Sequence, residues 1–238
     1  MLKKIIFKID WNLNKFGISI ATFIYNDFAN IKLLKNKKKT NIFQKIYKSN
    51  FWKSDESASG HGSTLHRASP YLERLKKFLK KKKIKIFLDA PCGDLNWINF
   101  LSIKNMKYIG ADIVPELIYQ NQTKYPQNKF LILDIRKDKL PKADLLHCRD
   151  CLFHFSYSDI LKTIQNFQKS NIKYFLITSH EGFFKNNDIT TGGSRFLSLT
   201  KKPFFFPQPI FKIKDFPVFE EMPRYLYLYK KEDLKKIV

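Results

Sequence analysis

The chain has 238 residues, 44% of them apolar, enough for one sizeable core of ordinary globular composition. Its three cysteines exclude a disulfide framework, and its longest uncharged run, Phe16 to Asn26, is too short to cross a bilayer. The formal charge of +23 suits a nucleic-acid, anionic-membrane or phosphorylated partner. The lysines are nevertheless scattered along the whole sequence, as on a solvated surface, rather than gathered on one arm.

Residues 1–50 are rich in Lys and Asn with scattered aromatics, and read as a basic N-terminal extension of short helices. Lys3 and Lys4 are followed by only a short apolar stretch, broken by Lys8 and Asp10, so no secretory signal is read and a reducing cytoplasm is expected. The alternation of Lys and Phe in this stretch is compatible with peripheral membrane contact. Residues 51–70 form a small, polar, Gly-containing segment, and loops of that kind often carry binding residues. Ser59, Gly60, Gly62 and Ser63 are placed to close a pocket. Pro70 to Lys82 is predicted as an amphipathic helix with Tyr71, Leu72, Leu75, Phe78 and Leu79 on one face.

From residue 84 strands and helices alternate. A buried strand at 84–88 runs into Asp89 and a tight turn, followed by a helix at about 95–102. Strand 107–111 leads to Asp112 and a helix opened by Pro115. Strand 130–133 ends at Asp134, strand 143–148 at Arg149-Asp150, a helix spans 158–169, and strand 173–179 follows. This pattern predicts an α/β fold with a doubly wound, mostly parallel sheet. Ligands bind at the carboxyl ends of such strands, where Asp89, Asp112 and Asp134 all fall. Residues 180–215 break the alternation and read as an insertion or lid. Two final strands are predicted at 216–220 and 224–230.

The string Asp89-Ala90-Pro91-Cys92-Gly93-Asp94, followed by Tyr108-Ile109-Gly110-Ala111-Asp112-Ile113-Val114-Pro115-Glu116-Leu117-Ile118, resembles the class I S-adenosylmethionine-dependent methyltransferases over about residues 51–235. Cys148-Arg149-Asp150-Cys151-Leu152-Phe153-His154-Phe155-Ser156 and the stretch 203–209 are similar to a bacterial group associated with surface-polysaccharide and sugar-modification loci. The resemblance implies a seven-stranded Rossmann-like sheet in a domain at 51–238. The family's first motif is acidic-x-Gly-x-Gly-x-Gly, and here Pro91 and Leu95 stand at two of the glycine positions. Gly93 remains for close backbone approach. The thinned motif disfavours a dinucleotide, whose pyrophosphate needs the fuller turn.

Carried over by position, the family implies S-adenosylmethionine contacts from Asp89, Pro91, Cys92, Gly93 and Asp94, from Asp112 and Ile113 at the ribose, from Asp134 and Ile135 at the adenine, and from Cys148 and Arg149. An alcohol acceptor needs a base, and His154 with Asp150 as orienter or substrate ligand is the expected pair, four apart and on one face if helical. Arg149, His180 and Arg195 are expected anchors for an anionic or sugar substrate. The Phe204–Phe206 cluster suits core or lid packing, with sugar stacking the alternative. Cys148, Cys151 and His154 have ligand-like spacing, but Cys148 lies in a strand and no second Cys pair exists, so no metal is expected.

The expected function is methylation of a sugar hydroxyl in a nucleotide-sugar or capsule precursor, with phosphoramidate decorations as a further acceptor. An RNA methyltransferase is the alternative, although the Asn/Asp-Pro-Pro-aromatic turn of base-amino methylators is missing. The absent glycines leave a non-catalytic cofactor-binding module as the third reading.

Overall fold

Seven strands form one mixed sheet in the order β3-β2-β1-β4-β5-β7-β6. In chain order they are β1 (Ile86–Asp89), β2 (Lys107–Asp112), β3 (Lys129–Ile132), β4 (Leu145–Cys148), β5 (Tyr174–His180), β6 (Phe211–Lys214) and β7 (Arg224–Lys230). The first five are mutually parallel, and β7 runs antiparallel to both β5 and β6. The computed structural model describes residues 41–216 and 222–237. Four α-helices are described: α1 (Ile42–Lys48), α2 (Leu65–Lys82), α3 (Pro115–Lys124) and α4 (Tyr157–Lys169).

The central strands are buried on both faces, which is why their sequences read as continuous apolar runs. Leu88, Leu146 and Ile177 face a core that includes Ile164 and Phe167 of α4. Phe87, Leu145 and Leu176 face the opposite core, with Tyr71, Leu75 and Leu79 of α2. Strand order reverses between β1 and β4, and the crevice at such a switch point is where an open α/β sheet binds ligands.

The predicted elements recur with shifted ends. α2 begins at Leu65, five residues before the predicted start, and contains Pro70. Glu56 accepts the Leu65 N–H at 2.6 Å and so satisfies the helix N-terminus from outside the local sequence. The helix predicted at 95–102 is only a 3-10 turn, Ile98–Phe100, because Leu95 has left-handed backbone (φ 58). The edge strand lies at Phe211–Lys214. Of the strand predicted at 216–220, all but Phe216 lies outside the described residues, as does the stretch 1–40 of the N-terminal extension.

α1 belongs to the same N-terminal extension, within its described part, and is docked. Gln44 donates to Glu116 of α3, Lys48 pairs with Glu116 at 2.7 Å, and the Phe43 ring lies 5.7 Å from Phe155. Between β5 and β6, residues 181–210 form neither helix nor strand yet bury Leu197, Leu199, Phe204 and Phe206. Phe204 packs edge-on to Tyr157 and Phe206 to Tyr229, so these rings fill the core rather than present a stacking face.

Candidate active site

The β1 strand ends in a turn whose backbone is held from β2. Cys92 N–H donates to the Ala111 carbonyl at 2.8 Å. Gly93 N–H donates to Asp112 Oδ2 at 3.1 Å, and Val114 N–H donates to Asp112 Oδ1 at 3.0 Å. Asp112 is thus fixed by main-chain donors of the two turns, with the Ile113 N–H also acting on it. Burial raises its pKa to about 6 against those donors.

Gly93 is required twice over: its φ is +58, and a Cβ there would stand 2.1 Å from Ser59 Oγ. Asp94 ties the same loop down. Its carboxylate accepts from Ser57 Oγ (3.0 Å), Ala58 N–H (2.7 Å) and Ser59 Oγ (3.3 Å). Asp94 therefore does not line the cavity; it anchors the loop that does. Gly93→Ala should destabilise the protein by about 1–3 kcal/mol in a denaturant titration, and adding Ser59→Gly should recover part of the loss. Equal stability of Gly93→Ala and wild type would overturn this close-approach account.

Asp89 looks inward. Its Oδ2 accepts from Tyr108 Oη at 2.8 Å, and its Oδ1 lies 2.6 Å from His147 Nδ1. His147 Nε2 in turn meets Tyr71 Oη at 2.9 Å. Burial pushes both tyrosine pKa values well up, so both hydroxyls keep their protons. This chain, which reaches the cavity wall through Asp89 and His147, uses Tyr71 and His147, which the sequence placed in a helix stripe and an apolar strand.

Asp134 lies two residues beyond β3. Its two oxygens accept from Arg136 Nε (2.8 Å) and Nη2 (2.7 Å). Burial acts to raise its pKa, but the Arg136 hydrogen bonds and charge outweigh it and hold the carboxylate below its usual range. The expected free acceptor is thus already paired, while Ile135 is buried and lines the cavity.

Beyond β4, two arginines and two aspartates alternate. Arg149 donates to Asp215 through Nε (2.9 Å) and Nη2 (3.1 Å), and to the Gly62 carbonyl. Arg224 of β7 pairs with Asp215 at 3.1 Å and with Asp150 at 3.2 Å. Burial opposes ionisation of Asp150, yet the Arg149 and Arg224 charges keep its pKa lowered. Asp150 has left-handed backbone (φ 53), and the following 3-10 turn starts only at Leu152, so Asp150 and His154 do not share a helix face.

His154 still reaches the cavity, its ring against Trp52 (centroids 4.6 Å) and Phe153 (4.3 Å). Its Nδ1 lies 2.7 Å from the Gly193 carbonyl, which can only accept, so Nδ1 carries the proton and Nε2 is the lone-pair atom. Burial lowers its pKa to about 4, so the ring is neutral at pH 7.

Three expected ligands lie elsewhere. His180 is buried between Phe153 and Phe196 behind the cavity, and accepts the Leu197 N–H at 3.3 Å. Arg195 is buried, donates to the Phe155 carbonyl at 2.6 Å, and lies over Tyr157 rather than in the cavity. Cys148 is fully buried in the sheet. Cys92 and Cys151 do line the cavity, and burial raises both thiol pKa values. Among the described residues no group of three or more His, Cys, Asp or Glu side chains is placed to hold a metal ion.

Asp89, Pro91, Cys92, Gly93, Asp112, Ile113, Asp134, Ile135, Arg149, Asp150 and His154 all line one cavity of about 720 Å³. That volume falls within the roughly 300–1,000 Å³ of small-molecule sites. Its far wall comes from α1 and the loop after it: Phe43, Ile46, Tyr47, Phe51 and Trp52.

No protein-family profile and no curated protein matches the sequence. Solved structures do. Human N-acetylserotonin methyltransferase, in complex with S-adenosylmethionine, aligns with a TM-score of 0.56 and 13% identity over 87% of this chain and 66% of its own. An S-adenosylmethionine-dependent methyltransferase from Clostridium acetobutylicum gives 0.53 and 12% over 80% of this chain and 99% of its own. The fold is that of the S-adenosylmethionine-dependent methyltransferases. A third methyltransferase, the Burkholderia thailandensis 1,6-didemethyltoxoflavin-N1-methyltransferase with bound 1,6-didemethyltoxoflavin and S-adenosylhomocysteine, gives 0.53 and 13% over 79% and 84%. In this methyltransferase fold the cavity lies at the strand-order switch point, with Asp112 at its edge.

Proposed function

We propose that the protein is an S-adenosylmethionine-dependent O-methyltransferase acting on a hydroxyl of a small sugar-type acceptor, a nucleotide sugar or surface-polysaccharide precursor in the cytoplasm. The observation that carries the cofactor assignment is Asp112: a buried carboxylate at the end of β2, braced by Gly93 and Val114 and lining the cavity, with no side-chain partner among the described residues. Paired hydroxyls of a ribose suit such a fixed two-oxygen acceptor. Gly93 supplies the close backbone approach for the amino-acid part, and Ile113 and Ile135 supply apolar walls for a ring. When bound, the cofactor supplies a methyl group activated by a sulfonium.

The chain's own residues supply the rest. His154 Nε2 takes the acceptor's hydroxyl proton, because its Nδ1 is committed to Gly193. Asp150, kept ionised by two arginines, orients the acceptor by accepting a hydroxyl. Trp52 and Phe153 flank His154 and exclude water from it. Titration of the full chain with S-adenosylhomocysteine in a calorimeter should give a single saturable site. Absence of heat at saturating ligand would end the methyltransferase reading.

A further inference from the structure

We infer that Lys53, His61 and Arg67 form a phosphate-binding rim, and that the acceptor presents a phosphate or diphosphate to it. This rests on the methyltransferase reading for the word acceptor, but the binding site itself is argued from charge.

The cavity's inner cations are already spent. Arg149 and Arg224 are matched by Asp150 and Asp215 in one alternating cluster. Asp134 is matched by Arg136. Of the residues expected to anchor an anion, Arg149 is thus neutralised, while His180 and Arg195 lie outside the cavity. What remains on the lining is Lys53, His61 and Arg67, all exposed and all on the segment that covers the cavity. None of the three makes an ion pair among the described residues, and neither Asp55 nor Glu56 of that segment lines the cavity.

The backbone at Lys53 and His61 is held in turns, and the Arg67 side chain is seated on a ring. Lys53 follows α1 in a turn closed by its own N–H to the Asn50 carbonyl at 2.9 Å. His61 opens a 3-10 turn whose Gly60 has φ 90. The Arg67 guanidinium lies over the Phe216 ring at 5.3 Å, a contact that uses its face and leaves its N–H donors free. Donors from the turn after α1, a 3-10 turn and the first turn of α2 suit a tetrahedral oxyanion with acceptors on several sides. The same chemistry is found in a free diphosphate ester and in an RNA backbone; the small diphosphate is the source we assign, because all three side chains line one cavity of about 720 Å³, the size of a small-molecule site.

The test titrates the full chain with inorganic pyrophosphate at constant ionic strength. Three proteins are compared: wild type, Lys53→Gln/Arg67→Gln, and Lys104→Gln/Lys139→Gln, which removes the same charge from exposed positions away from the cavity. Wild type should show one saturable site. The rim variant should bind about tenfold or more weakly and the control within about twofold. Equal weakening in both variants, or no saturable site in wild type, overturns the rim. A single-stranded oligoribonucleotide is titrated in parallel, and if only it loses affinity in the rim variant the small-diphosphate source falls. S-adenosylhomocysteine affinity should be unchanged in the rim variant. Its absence in every protein would end the enzyme reading while leaving the pyrophosphate result to stand or fall alone.

Discussion

Replacing Asp112 by alanine is expected to abolish S-adenosylhomocysteine binding in a calorimetric titration. The substitution removes both acceptor oxygens and frees the Gly93 and Val114 N–H groups that they hold, so the turn that shapes the cavity loses its brace at the same time. Asp112→Asn separates these effects, because it keeps one acceptor and the side-chain shape. It should bind the ligand far more weakly than wild type, and its stability should lack the pH dependence that Asp112 confers. The reason is linkage. Burial raises the folded-state pKa of Asp112 from 3.8 to about 6, so between those values the folded chain holds a proton that the unfolded chain has released. Stability from this group therefore falls as pH rises through that window, by an amount on the order of 3 kcal/mol once complete. Asparagine has no charge to bury and escapes that loss. Ligand affinity runs the other way, since the hydroxyls are best accepted by the ionised form. It should fall progressively below pH of about 6 in wild type and be flat over the same range in the asparagine variant. Retained tight binding by Asp112→Ala would remove the residue from the cofactor site, and with it the main support for the enzyme.

Legibility of the site followed the range of the interactions that make it. The acidic ends of β1 and β2, and the Gly93 turn between β1 and the rest, are local features of strand and turn chemistry, and Asp89, Asp112 and Asp134 do share one cavity. What each carboxylate does is set by partners distant in sequence. Asp89 is occupied by Tyr108 and His147 and Asp134 by Arg136, whereas among the described residues Asp112 accepts only from main-chain N–H groups. Arg149 looked like a substrate anchor because its partner Asp215 lies 66 positions away, and Arg224 comes from a stretch predicted only as a final strand. A buried histidine inside β4 was the one available hint of the Tyr71–His147–Asp89 chain, since a ring with no exposure requires partners at its nitrogens. The α2 start was hidden for a similar reason: its terminal N–H is satisfied by Glu56 from the preceding loop, so the local capping signal is weak.

His154→Ala should lower turnover by about a hundredfold or more while leaving S-adenosylhomocysteine affinity unchanged. The side chain touches no part of the Asp112–Gly93 brace, so the two measurements divide binding from chemistry cleanly. The structure also says which pH behaviour belongs to it. Burial lowers the His154 pKa to about 4, so the ring is already unprotonated well below neutrality. Its loss of function on acidification should come near pH 4, below the weakening of ligand affinity assigned to Asp112. With cofactor saturating, the acid limb of turnover should accordingly lie lower than the acid limb of binding. A His154→Gln variant retains a side-chain group for Gly193 and so keeps the loop in place, but offers no basic nitrogen. It should show the alanine variant's turnover with wild-type thermal stability. Should the glutamine variant turn over like wild type, proton transfer to His154 is not part of the reaction, and the ring's place between Trp52 and Phe153 is packing alone.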